Sequence, residues 1–170
     1  MTTFVALLRA VNVGGTGKLP MAELKAMCCA AGFARVQTYI ASGNVVFESK
    51  AARTAVKSAL EKRLLAHAGK PVGVVLRTDA EMQAVLEANP FPKGAPNHTY
   101  VYFLNERPPG DALENAVGTT DEEIRLGTRE IYVHYPNGMG RSKLRIPAAK
   151  FGTARNMNTV AALAAMASKL

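Results

Sequence analysis

The chain has 170 residues, enough for one domain or two small ones, and with 48% apolar and 20% charged residues it can bury a core and is not a disordered chain. No apolar run approaches the roughly 20 residues that span a bilayer. The N-terminal stretch has neither a basic start nor a small-residue cleavage site, so it reads as a buried strand and the expected location is the cytoplasm. The net charge of +8 is the outlier.

Phe4 to Val13 is nearly all apolar, as a central strand covered on both faces would be. Gly14, Gly15 and Gly17 break it. Pro20 suits a helix start, Leu24, Met27, Cys28 and Ala31 form an apolar stripe at helical spacing, and Gly32 is placed to end the helix as a left-handed cap. Val36, Thr38 and Ile40, then Val45 and Phe47 beyond Ser42-Gly43, predict a hairpin. A second helix follows Ser49, with Val56, Ala59, Leu60 and Leu64 inward, and Gly69 closes it. Val72 to Leu76 predicts a fourth strand. The order is βαββαβ, the ferredoxin-like unit. Thr78 and Glu81 are spaced as a capping box opening a short helix that stops at Asn89-Pro90, and PFPKGAPN is the best linker in the chain.

The second half repeats the pattern. Thr99 to Leu104 predicts a strand, Pro109 to Val117 a helix, and residues 124 to 135 a hairpin turning at Gly127-Thr128. A turn at Pro136-Asn137-Gly138 leads to a short helical piece from Ser142, and a last helix runs from Asn156 to Leu170. The expected fold is therefore α+β, two ferredoxin-like halves, the second ending in a helix in place of its last strand. The domains are placed at residues 1–90 and 91–170.

Several stretches carry polar chemistry. NVGGTGK invites comparison with a phosphate loop, whose amides cradle anions at a helix start. It does not fit Walker A, because Asn12 stands at the first glycine position and Leu19 at the Ser/Thr position. A dinucleotide fingerprint fails too, with Pro20 where its third glycine belongs. The turn reads either as a tight strand-to-helix connection or as an anion site using Lys18 and turn amides. Ser42-Gly43-Asn44 is first a hairpin turn. His67, His98 and His134 lack metal spacing, and adjacent Cys28 and Cys29 read as small buried hydrophobes, so no metal or cofactor is expected.

After Glu130 there is no acid, while Arg141, Lys143, Arg145, Lys150, Arg155 and Lys169 follow. Gly140-Arg141-Ser142-Lys143 and Thr153 to Thr159 can thus be read as an anion pocket, against the plainer reading of Thr153 and Asn156 as helix caps. Tyr102 and Tyr132 stand where the RNA-recognition fold places its stacking aromatics; they stack bases on an open sheet face or are core.

LLRAVNVGG, PMAELKAM, GFARVQTYIASGNVVF, YPNGMGRSKL and TARNMNTV closely resemble the bacterial family called domain of unknown function 1697 (DUF1697), nearly end to end. The resemblance implies two ferredoxin-like halves and no established activity. Members typically carry LRGINVGG, TYIQSGNVVF and TARNWNTV, so Ala10, Ala41 and Met157 depart from the pattern, and the stretch from Lys143 to Thr153 is shorter than usual. Arg9, Asn12, Gly14, Gly15, Ser42, Gly43, Asn44, Ser142, Lys143, Arg155, Asn156 and Asn158 match it, and they are expected to converge on one cleft between the halves.

The leading expectation is a module binding an anionic ligand, a nucleic acid or a phosphorylated small molecule. Arg9, Lys18, Arg141, Lys143 and Arg155 supply charge, and Asn12, Asn44, Asn156 and Asn158 supply oriented hydrogen bonds. The alternatives are an enzyme acting on a phosphorylated small molecule, which lacks a clear base or nucleophile, and a scaffold whose last helix makes a dimer contact. No membrane partner is expected.

Overall fold

The computed structural model describes residues 1–12 and 18–170. It divides into two compact units, Met1–Met82 with Leu163–Leu170, and Gln83–Ala162. No helix among the described residues is long and apolar enough to cross a membrane.

In the first unit β1 (Thr2–Leu8) pairs antiparallel with β3 (Asn44–Ser49) and with β4 (Val74–Thr78), and β2 (Ala34–Tyr39) pairs with the outer side of β3. The order β2-β3-β1-β4 is that of a ferredoxin-like unit. Helices α1 (Met21–Ala30) and α2 (Arg53–Ala68) supply Leu24 and Cys28, and Val56, Leu60 and Leu64, to a core built on Phe4, Ala6, Leu8, Val45, Phe47 and Leu76. Burying each large side chain of that set contributes about 1.5–3 kcal/mol. Val5 and Leu7 point to the other face and are buried as well. That double burial is why β1 reads as a continuous apolar run and does not alternate.

The local signals act as expected. Gly32, at φ 88, follows α1, and the Phe33 amide donates to the Cys28 carbonyl at 3.1 Å, which closes a Schellman cap. At the start of α3 (Asp79–Glu87) the Thr78 amide donates to Glu81 Oε1 at 2.7 Å, and the Glu81 amide donates to Thr78 Oγ1 at 3.2 Å. The capping box is therefore formed, and Arg53 adds an ion pair to the same carboxylate at 2.5 Å.

The second unit repeats the strand order. Strands β5 (Thr99–Phe103), β6 (Glu123–Leu126), β7 (Glu130–His134) and β8 (Thr153–Asn156) form an antiparallel sheet ordered β6-β7-β5-β8. Two expectations are corrected here. Pro109 to Val117 is not a helix: residues 110–115 are turns, and Val117 pairs with Arg145 instead. Only Ala112 of that stretch is fully buried, while Leu113 and Val117 are exposed, so no apolar stripe repays helix nucleation. The fourth strand is also present. Thr153–Asn156 pairs with β5, from Phe103↔Thr153 to Tyr100↔Asn156. Helix α4 (Met157–Ser168) follows this strand and does not replace it.

Candidate functional site

The motif residues of the first unit gather at one end of its sheet. Asn12, exposed and at φ 56, uses its side chain as a clamp. Its Nδ2 donates to the Leu19 and Ala41 carbonyls, both at 2.8 Å, and its Oδ1 accepts from the Leu19 amide at 2.7 Å. One carboxamide thus joins the end of the first strand to the start of the helix segment and to the hairpin turn. Asn44 is fully buried and holds that turn from within, with Nδ2 donating to the Tyr39 carbonyl and to Ser42 Oγ, both at 2.9 Å.

Gly43 accepts the Leu8 amide at 2.9 Å through its carbonyl and has φ 90. A Cβ there would lie 2.6 Å from Val11 Cγ2, so only glycine lets the turn press against β1. Ala10 (φ 55) and Ile40 (φ 47) are held in the left-handed region too. Such strain persists where surrounding structure over-determines the backbone, and it clusters at ligand sites. Gly14, Gly15 and Gly17 lie outside the described residues.

Beside this loop cluster is a cavity of about 230 Å³ whose wall includes Ala10, Lys18, Leu64, His67, Lys70 and Val72. His67 lies 3.3 Å from the Lys18 carbonyl through Nε2 and 3.3 Å from Glu23 Oε2 through Nδ1, contacts a protonated ring can donate to together. Arg9 and Lys18 are exposed, and the Arg9 amide donates to the Gly73 carbonyl at 2.9 Å. Sequence reasoning missed Lys70, and it took His67 only as a partner of the helix dipole. Their place in this wall comes from the fold and has no local signal.

A family model described as protein of unknown function (DUF1697) matches residues 1–132. The chain belongs to this family. A solved DUF1697-like structure, that of the conserved bacterial protein SP0830 from Streptococcus pneumoniae, is similar over 99% of each chain, with 25% identity and a TM-score of 0.83. No curated protein matches the chain. The left-handed backbone at Ala10 gives a physical reason for the glycine that DUF1697 members usually carry there. Met157, where they carry tryptophan, is buried at the start of α4.

The remaining predicted residues belong to the second unit. Arg155 is buried, and its Nη1 donates to Thr153 Oγ1 at 2.6 Å and to the Ala154 carbonyl at 2.9 Å. Burial lowers its pKa to about 10, so it stays charged at neutral pH. Asn156 is the helix cap, its Oδ1 accepting the Thr159 amide at 3.0 Å, whereas Thr153 sits in β8 and caps nothing. Asn158 and Lys143 are exposed.

Arg141 and Ser142 line a small cavity of about 110 Å³ together with Asp121 and Glu122. The acid-free run therefore meets two carboxylates brought from another segment. Glu122 sits below the usual carboxylate range, chiefly because the Thr120 amide donates to it at 3.0 Å, with hydroxyls of Thr120 and Ser142 adding to the effect. This corner is electrically mixed and is a poor anion pocket. Asn12 belongs to the first unit and Arg155 to the second, and each set forms its own local arrangement.

The tyrosine question resolves against stacking. Tyr102 pairs across β5 and β7 with Ile131, while Tyr132 pairs with Val101, so the two rings point to opposite faces. Tyr102 packs on the core face, its hydroxyl 2.7 Å from that of Tyr135. Tyr132 is buried, and its hydroxyl donates to the Val85 carbonyl at 2.8 Å. The cysteines are corrected in part: Cys28 is core, its thiol pushed up to about 12 mainly by burial, but Cys29 is exposed. Among the described residues no three His, Cys, Asp or Glu are grouped to hold a metal ion.

Proposed function

We propose that the protein binds an anionic ligand, a nucleic acid or a phosphorylated small molecule, at the loop end of its first unit. The observation that carries this reading is the Asn12 clamp, which fixes Leu19 next to the hairpin turn while Lys18, beside it, and Lys70 face one cavity. Clamp residues spend their hydrogen bonds on the protein itself. Asn12, Asn44 and Ser42 therefore position the site, and recognition falls to Arg9, Lys18 and Lys70.

The C-terminus of α2 at Ala68 also borders the cavity, and its carbonyl end carries partial negative charge. Attraction must come from the lysines, through solvent-exposed ammonium groups, so binding should weaken steeply with salt.

The test is anisotropy with a labelled mixed-sequence single-stranded oligonucleotide, and calorimetry with inorganic phosphate and AMP, at low and physiological salt. The comparison protein carries Arg9→Glu, Lys18→Glu and Lys70→Glu. Salt-sensitive binding lost in the variant supports the site. Binding unchanged in the variant, or none in the wild type, removes it.

A further inference from the structure

A groove of about 420 Å³ opens at the end of the second sheet, walled by Leu104, Pro108 and Pro147, with Glu106, Arg107 and Phe151 on its lining. The volume lies within the range of small-molecule sites, about 300–1,000 Å³. Phe151 is the least covered large apolar side chain in the second unit, 74% exposed. An aromatic ring left in water costs solvation and contributes nothing to the core. Its position is nevertheless fixed. At the adjacent Gly152 a Cβ would lie 2.6 Å from Leu104 Cδ2 and 2.8 Å from the Phe103 carbonyl, so the backbone beside the ring rests on the end of β5.

We propose that this groove binds a nucleotide, with its base against the Phe151 ring and its phosphate held by Arg107 and Lys150. Three observations converge. The Lys150 ammonium stands 5.4 Å from the centre of the Phe151 ring, which places a cation at the edge of the stacking surface and leaves the ring a second face. Arg107 lines the same groove and offers a planar fork suited to phosphate oxygens. The apolar walls of Leu104 and the prolines match a base and not a free phosphate. Glu106 repels phosphate, and it can accept from an exocyclic amino group, so adenine and cytosine are favoured over uracil. This site is in a different unit from the Lys18–Lys70 cavity and stands or falls separately.

The chain has no tryptophan, so Phe151→Trp introduces a single indole at the proposed stacking surface. Its emission is followed on titration with AMP, UMP, inorganic phosphate and a mixed-sequence single-stranded RNA. Quenching by AMP more than by UMP, with none by inorganic phosphate, is expected. Quenching by the RNA alone assigns the same chemistry to a strand. Phe151→Ala should weaken binding about tenfold, Phe151→Tyr should preserve it, and Arg107→Glu should abolish it and lower the salt slope by about one. The Arg9→Glu, Lys18→Glu, Lys70→Glu protein should quench normally when it also carries Phe151→Trp. Unchanged indole emission with every nucleotide ligand overturns the proposal, as does wild-type affinity in the folded Phe151→Ala and Arg107→Glu proteins.

Discussion

Replacing Asn12 by alanine removes three hydrogen bonds of 2.7 to 2.8 Å, two of them partly buried and one exposed. A net bond contributes about 1 kcal/mol, and discounting for exposure leaves about 2 kcal/mol for the set. Asn12 also sits at φ 56, which asparagine tolerates and alanine does not, adding about 1 kcal/mol. The expected loss is about 3 kcal/mol. Asn12→Gly gives up the same bonds without the backbone strain and should lose about 2 kcal/mol. With a urea slope of about 1–3 kcal/mol per molar, the midpoint of the first unit falls by about 1–2 M, followed by far-UV circular dichroism. A midpoint for Asn12→Ala within error of the wild type refutes the clamp. Asn12→Gly being less stable than Asn12→Ala refutes the left-handed backbone.

Ala10→Gly should stabilise the protein by about 0.5 kcal/mol, because relief of the φ 55 strain exceeds the added freedom of the unfolded chain; a lower urea midpoint contradicts it. Gly118 has φ 76, and a Cβ there would stand 2.3 Å from the Lys143 carbonyl oxygen, so Gly118→Ala should cost at least about 2 kcal/mol. Gly110→Ala, with nothing within 4 Å, is the control and should stay within about 0.5 kcal/mol.

Burial is the main cause raising both Tyr135 and Tyr102, whose hydroxyls share one hydrogen bond that also raises Tyr135. A raised folded pKa contributes stability that is present below the unfolded value and lost as pH rises through and above about 10. Tyrosinate absorbance should therefore show two of the five tyrosines ionising only with unfolding. A simple titration of all five in the folded protein would refute the buried pair.

The sequence by itself determined the elements whose signal is local. The glycine after α1, the Thr78–Glu81 box and the apolar stripes of α1 and α2 depend on neighbours within a few residues, and those places behave as the sequence implies. Strand β1 announced itself because burial on both faces leaves no polar position to confuse the pattern. Strand β8 did not, since four residues reading Thr-Ala-Arg-Asn have no apolar alternation and become a strand only through pairing with β5. The same holds for charge and for faces. Asp121 and Glu122 reach Arg141 and Ser142 across a chain separation that no sequence window spans. Tyr102 and Tyr132 are set on opposite faces by a register that only the assembled sheet fixes. Which polar side chains are consumed in holding the fold, as Asn12 and Asn44 are, is a matter of distance in space. Tertiary structure alone decides it.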